Sequence, residues 1–358
     1  MSQKRLSRPL LLVVLTFISV LPIGTGLFLF SVRNPSYTEV NPQIRPGTEL
    51  ADYEKSHSWS LHRVPDLLVF GLFSFMVGDS QYFRDGIESV SFRTHLDSIQ
   101  LEMPSSGPAL SEDLPEGLQE IQAHTLEGPM KAAYLVYRWS GCDSPTLIYN
   151  HGASQVPFDA LFRRIFPANE PGHRGSDLNL IAIRAPFHTR DALQLNQEAS
   201  TLSRFLAMQA VTVALNEAMV QELRAKGCTK IALCGLSMGG YAINRHRSAY
   251  NSADIYLPVA AGTHFSDVFL YTSPAHESAR DPQKLSDSLD LDWSKGDYSN
   301  VHPLLGQFDQ VSRIQVQGPA YGNIDVEIWE TGHITTATSV DALRAFFLKH
   351  LSRLEASN

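Results

Sequence analysis

The sequence predicts an α/β fold, in which helices flank a mostly parallel β-sheet. Short apolar segments of strand length alternate with segments of helical periodicity along most of the chain, after an antiparallel start. The chain has 358 residues, of which 43% are hydrophobic and 18% are charged. This is enough to bury the core of one large domain of this class with additional segments.

The expected elements follow one another in a regular order. A hairpin is expected at residues 87–96 and 98–103, followed by a loop at 104–118. Further strands are expected at 131–139, 146–150, 178–184, 231–234, 255–261, 301–306 and 324–329, and helices at 158–166, 200–226, 241–250 and 340–351. The longest helix has apolar residues at helical spacing, namely Leu206, Val211, Leu215, Met219 and Leu223. Residues 262–300 have no dominant period and form a candidate lid.

The amino terminus predicts a membrane anchor at residues 1–33. An uncharged run at 9–32 follows several basic residues, and it exceeds the roughly 20 residues that a membrane-spanning helix needs. We expect the anchor to remain uncleaved, with the basic residues in the cytoplasm and the rest of the protein on the non-cytoplasmic side. The alternative is a signal peptide, for which Gly26 offers only a poor cleavage site because apolar residues continue beyond it.

Residues 34–86 are expected to connect this anchor to the main domain at 87–358. Residues 34–64 are polar and rich in proline, which is typical of a tether with local structure. The apolar run at 67–77 is too short to span a bilayer, so we expect a helix packed on the domain. The alternative is a segment that lies in the membrane interface.

A candidate nucleophile lies within residues 230–241, which read KIALCGLSMGGY. An apolar strand leads into a G-x-S-x-G turn centred on Ser237, and a helix is expected after it. Such a turn strains the serine backbone, and glycine at 235 and 239 would avoid collisions. The hydroxyl would then stand free at the carboxyl end of the sheet, facing the N-terminus of the next helix. The alternative is an ordinary glycine-rich turn, in which serine is common.

A serine nucleophile needs a base, and the base needs an orienting acid. We expect His333 to be the base, because it follows the last predicted strand in the segment ETGHI, where Gly332 permits a tight turn. We expect Asp309 to be the acid, because it lies in the loop after the penultimate strand. Asp267, one strand earlier, is the alternative acid.

Acyl transfer also needs two donors for the oxyanion. One is the backbone N–H of Met238, directly after the nucleophile. The other is expected in the loop after strand 146–150, where Gly152 allows close approach of the backbone, and we assign it to the N–H of Ala153. His151 is expected to shape this loop and not to transfer protons.

The motifs YNHGA, CGLSMGG, GQFD and ETGHI resemble those of the α/β-hydrolase superfamily, in the same order along the chain. The resemblance covers roughly residues 120–355, and the G-x-S-M-G-G turn is similar to that of less characterised members. It implies an eight-stranded sheet with the strand order 1-2-4-3-5-6-7-8. It also implies a catalytic triad of Ser237, Asp309 and His333.

That strand order predicts that two of the cysteines lie close together. It makes the strands at 146–150 and 231–234 parallel neighbours, and Cys142 and Cys228 precede these strands by similar distances. We therefore expect the two cysteines to meet at the amino-terminal edge of the sheet, where a disulfide would fit a non-cytosolic domain. Cys234 is expected to be a small buried hydrophobic residue.

These features predict a membrane-anchored serine hydrolase that acts on the acyl ester of a small molecule or lipid. The formal net charge of −8 argues weakly against nucleic acid as a partner. We expect no cofactor and no metal, because the sequence has no glycine-rich phosphate loop and no metal-ligand spacing. The alternatives are a non-catalytic binding protein on the same fold and an acyltransferase, which shares the covalent intermediate.

Overall fold

The computed structural model describes residues 33–53, 60–77, 82–103, 117–167, 178–272, 281–293 and 298–356. The anchor predicted at residues 9–32 lies outside these ranges. Among the helices within them, none combines the length and the apolar character needed to cross a bilayer.

A mixed sheet of ten strands forms the centre of the described part of the chain. The strands are β1 (Gln43–Pro46), β2 (Gln100–Glu102), β3 (Gly117–Thr125), β4 (Gly128–Arg138), β5 (Thr146–Asn150), β6 (Asn179–Arg184), β7 (Ile231–Leu236), β8 (Ile255–Val259), β9 (Leu304–Gly306) and β10 (Asp325–Trp329). Their order across the sheet is β1-β10-β9-β8-β7-β5-β6-β4-β3-β2. Strands β5 to β10 pair in parallel, whereas β4 is antiparallel to β6.

Strands β3 to β10 have the order 1-2-4-3-5-6-7-8 when they are numbered along the chain. This is the order that the resemblance implies, so the chain has the α/β-hydrolase fold. The expected number of eight strands is wrong for the whole sheet, because β1 and β2 each add an antiparallel strand at one edge.

Helices cover both faces of this sheet. They are α1 (Arg63–Val77), α2 (Phe92–Ser98), α3 (Ala160–Ile165), α4 (Gln194–Glu198), α5 (Leu202–Ala225), α6 (Met238–Ala249), α7 (Ser266–Tyr271), α8 (Pro282–Leu289), α9 (Ile314–Ala320), α10 (His333–Thr338) and α11 (Val340–Ala356). Neighbouring side chains of β5 pack on opposite faces of the sheet: Ile148 packs with α5, and Leu147 packs with α3 and α11. The predicted apolar stripe of α5 is buried throughout.

The hairpin predicted at 87–96 and 98–103 is wrong. Residues 92–98 form α2, because the Ser91 hydroxyl caps the helix by accepting the Thr94 N–H at 3.1 Å. Leu96 then packs on α5, and Phe92 lies beside it. The segment is therefore helical despite its strand-like alternation of apolar residues, because the cap and the packing on α5 favour the helix.

The amino-terminal segment also differs from the predicted tether. Strand β1 pairs with β10, and the Tyr37 hydroxyl donates to the Glu327 carboxylate at 2.6 Å. The segment is therefore part of the domain surface. Strand β3 is a further difference, since the sequence predicts a loop up to residue 118 and no strand or helix at residues 119–125.

Cys142 and Cys228 form a disulfide, which confirms the pairing suggested by the resemblance. They precede β5 and β7, which are parallel neighbours, so the bond lies at the amino-terminal edge of the sheet. Cys234 is a free thiol and is buried, as predicted.

We expect the double substitution Cys142→Ser and Cys228→Ser to lower the free energy of unfolding by about 2–4 kcal/mol, because the bond closes a long loop in the unfolded chain. The two cysteines are 86 positions apart. Urea unfolding with and without reductant measures the effect. Cys234→Ala is the control, and reductant should shift its urea midpoint as it shifts that of the wild type. A shift of the midpoint of the double variant by reductant would contradict the disulfide between Cys142 and Cys228.

Candidate active site

Ser237 lies in the turn between β7 and α6, with φ 52° and ψ −119°. Positive φ is uncommon for a residue with a side chain, so this backbone is strained. Two hydrogen bonds hold it: the Ser237 N–H donates to the Val259 carbonyl at 2.8 Å, and its carbonyl accepts the Tyr241 N–H at 3.0 Å. Strand β8 and helix α6 therefore fix the direction of the hydroxyl.

The glycines on either side of Ser237 avoid collisions, as predicted. A Cβ atom on Gly235 would overlap the Gly239 carbonyl, and one on Gly239 would overlap the Asn150 carbonyl at the end of β5. The turn is therefore packed against the carboxyl end of the neighbouring strand without space for side chains at these two positions.

The structure brings the three predicted triad residues together. The Ser237 hydroxyl lies 3.0 Å from His333 Nε2, and His333 Nδ1 lies 2.7 Å from Asp309 Oδ2. The other carboxylate oxygen of Asp309 accepts the backbone N–H groups of Val311 and Ser312, both at 2.7 Å. With the imidazole Nδ1–H donating to Asp309, Nε2 is free to accept the serine proton.

The alternative acid, Asp267, has a different partner. Its carboxylate accepts two hydrogen bonds from the Arg313 guanidinium, one of them at 3.0 Å from Nε. Both oxygens are therefore engaged in a bidentate ion pair. The contacts favour Asp309 over Asp267 as the partner of His333.

A second carboxylate, which no sequence pattern predicted, lies beside His333. Asp66 belongs to α1, and its exposed fraction is 0%. Its Oδ2 accepts the backbone N–H groups of His333 at 2.8 Å and of Gln310 at 3.1 Å, and its Oδ1 accepts the Ile334 N–H at 2.8 Å. An aspartate just before an otherwise apolar run was the available signal.

These contacts shift the pKa values of the cluster. Burial lowers the pKa of His333, but the charge and hydrogen bond of Asp309, together with the charge of Asp66, outweigh burial and raise it above its ordinary value. Burial and the charge of Asp309 raise the pKa of Asp66 to about 6, although His333 and the backbone donors oppose this. An imidazolium at His333 is therefore stabilised by two carboxylates.

The predicted oxyanion donors lie beside the nucleophile. A Cβ atom on Gly152 would be 3.6 Å from Ser237 Cβ, so the loop after β5 contacts the nucleophile turn. Ala153 and Met238 line the same cavity as Ser237. Neither of their backbone N–H groups donates to an acceptor in the described part of the chain. Their role in binding an oxyanion stays a prediction.

His151 supports this loop through its ring. Its Nε2 accepts the Ala185 N–H at 3.1 Å, so Nδ1 carries the proton and donates to the Gly152 carbonyl at 2.7 Å. Burial holds the pKa of His151 well below its ordinary value. The neutral ring therefore fixes the loop, in agreement with the predicted role.

An apolar cavity of about 290 Å³ opens at Ser237. Its aromatic lining consists of Phe70, Tyr82, Phe205, Tyr241, Phe265 and Phe269. No Asp, Glu, Lys or Arg among the described residues lines it. Val268, Phe269 and Thr272 come from the segment predicted as a lid, which therefore forms part of the wall.

A larger cavity of about 690 Å³ lies near the amino-terminal ends of β9 and β10, and its lining includes none of Ser237, Asp309 and His333. No group of His, Cys, Asp and Glu side chains in the described ranges could hold a metal ion.

Among known proteins, the chain is similar to solved structures of esterases. No protein-family model matches the sequence, and no curated protein matches it either. Acetyl xylan esterase 1 from Thermoanaerobacterium sp. JW/SL YS485 is 15% identical with a TM-score of 0.45, and the match covers 76% of this chain and 96% of the esterase. An esterase from Pyrobaculum calidifontis is 16% identical with a TM-score of 0.43, with coverages of 67% and 87%. An arylesterase is 12% identical with a TM-score of 0.44, with coverages of 69% and 87%.

The strand order of the sheet identifies the fold, and the contacts of Ser237, His333 and Asp309 define the chemistry that the site can support.

Proposed function

We propose that this protein is a serine hydrolase that cleaves carboxylic esters. The observation that carries the proposal is the continuous hydrogen-bonded chain from Ser237 Oγ through His333 to Asp309, with distances of 3.0 Å and 2.7 Å. A nucleophile, a base and an orienting acid in this arrangement are what acyl transfer through a covalent intermediate requires.

In the proposed reaction, Ser237 Oγ attacks the ester carbonyl carbon while His333 Nε2 takes the hydroxyl proton. The backbone N–H groups of Met238 and Ala153 donate to the oxyanion that forms. The bond to the leaving alcohol then breaks, and the imidazolium returns the proton to the alcohol. A water molecule attacks the acyl-serine with the same base, which releases the carboxylic acid and restores the Ser237 hydroxyl.

The cavity supports an ester with an uncharged, apolar acyl group, such as that of a small molecule or lipid. Its walls are aromatic and aliphatic, and none of the described residues that line it carries a full charge at neutral pH apart from a protonated His333. A carboxylate on the acyl chain would lose hydration without gaining a partner, which costs several kcal/mol.

The proposal includes an uncleaved anchor at residues 9–32, with the catalytic domain on the non-cytoplasmic side. The length of the apolar run and the basic residues before it support this location. The disulfide between Cys142 and Cys228 also supports it, since structural disulfides persist in oxidising compartments.

Labelling by a fluorophosphonate probe tests the catalytic proposal. We expect one probe per chain on Ser237, and none on Ser237→Ala, because only an activated serine reacts. We also expect Asp309→Asn to lower kcat by about 10⁴-fold through the wrong imidazole tautomer. Asp267→Asn, measured in its folded fraction, is the matched control and should keep most of the activity. A protein that resists the probe would favour a non-catalytic binding role.

A panel of 4-nitrophenyl esters tests the acyl preference. We expect kcat/KM for the pentanoate to exceed that for the similarly sized hemisuccinate by roughly 100-fold or more, because burying an unpaired carboxylate costs several kcal/mol. The leaving group is the same in both esters, so the ratio reports the acyl site. Equal rates would contradict an uncharged acyl site. Ester formation that outcompetes hydrolysis when an alcohol is added would indicate an acyltransferase.

Sequencing the amino terminus of the mature, membrane-extracted protein tests the anchor. We expect the run at residues 9–32 to be retained, because apolar residues continue beyond the poor cleavage site. A mature protein that begins just after Gly26 would show a signal peptide instead.

A further inference from the structure

We propose that Asp66 is a positioning residue of the active site: its carboxylate holds the segments that carry His333 and Asp309 in place and supports the positive charge on the imidazole. The inference rests on the proposed hydrolase function. It assigns a role to α1, which the sequence analysis interpreted only as a packing or interfacial helix.

Asp66 connects two segments of the active site through hydrogen bonds. Asp66 accepts N–H groups from two segments at once: Gln310 follows Asp309 directly, while His333 and Ile334 begin α10. Elsewhere in the described ranges these three N–H groups have no other acceptor. A buried N–H without an acceptor is destabilising, so the carboxylate stabilises both segments in their present positions.

The packing of the segment around Asp66 leaves no space for a side chain at Gly332. Gly332 has φ −91°, which any residue can adopt, so its backbone conformation does not by itself require glycine. A Cβ atom at this position would lie 2.8 Å from Asp66 Oδ2 and would overlap the His62 carbonyl. Glycine is needed here because the start of α1 packs directly against the segment before His333.

The same helix also contacts the catalytic ring. The Phe70 ring, one turn after Asp66, meets the His333 imidazole edge to face with centroids 5.8 Å apart. Phe70 also lines the cavity at Ser237. Helix α1 therefore contacts His333 in two places: Asp66 accepts its backbone N–H, and Phe70 packs against its imidazole ring.

Asp66 also acts on His333 through its charge. The charged groups that act on Asp66 are Asp309, from the loop after β9, and His333, from α10. His62, directly before α1, bonds to Thr335, and burial lowers its pKa, which disfavours a positive charge there. When both carboxylates are ionised, a proton on His333 is attracted by two negative charges. Removing the charge of Asp66 must therefore lower the pKa of His333.

The pH dependence of kcat/KM for an apolar ester tests this role in the full-length protein. Asp66→Asn keeps the size and one oxygen acceptor but removes the charge. Because the acid limb reports protonation of His333, we expect it to move to lower pH. We expect kcat to fall roughly tenfold with little change in KM, since Asp66 touches no substrate. A purely structural role would leave the acid limb unchanged.

Two further variants keep the test decisive. Asp267→Asn also removes a buried carboxylate near the site, and its acid limb should coincide with that of the wild type. Asp66→Glu keeps the charge but displaces the oxygens, so kcat should fall while the acid limb stays; this variant also serves if Asp66→Asn does not fold. An unchanged kcat in Asp66→Glu would contradict positioning.

The outcomes separate this inference from the proposed function. An active wild type that is labelled at Ser237, together with an acid limb that does not move in Asp66→Asn, would overturn the role of Asp66 alone. A wild type without labelling or ester hydrolysis would overturn both.

Discussion

The geometry of the site depends on the strained backbone of Ser237, a conformation that costs about 1–3 kcal/mol and persists only where its surroundings determine it. Here they do: the Val259 carbonyl on β8 accepts the Ser237 N–H, and Gly239 packs against the carbonyl of Asn150 on β5. The register of three neighbouring parallel strands therefore fixes the direction of the hydroxyl. His333, which Asp309 orients, then contacts a hydroxyl whose position the sheet has already fixed.

Much of this arrangement could be predicted from the sequence, because each triad residue closely follows a strand of a parallel sheet. Carboxyl ends of such strands share one edge, so chain order and strand ends were enough to bring Ser237, His333 and Asp309 together. The choice of acid was harder. Asp267 also follows a strand, and its partner Arg313 is 46 positions away, a contact that no local pattern reveals.

The elements that sequence patterns missed depend on such distant contacts. Asp66 and His333 are 267 positions apart, and the apolar residues after Asp66 are equally typical of a helix with no role in the site. Strand β1 exists because β10 offers an open edge, and its own sequence includes Pro46, which favours a loop. Helix α2 depends on a serine cap that outweighs a strand-like alternation.

The contact between α1 and α10 crosses the predicted domain boundary. The domain predicted at residues 87–358 contains Ser237, His333, Asp309 and both predicted oxyanion donors, yet a truncated chain starting there would lack α1 and β1. It would leave the N–H groups of Gln310, His333 and Ile334 without their acceptor. A unit that keeps these contacts therefore reaches back at least to β1, so the residues that follow the proposed membrane anchor also support the active site.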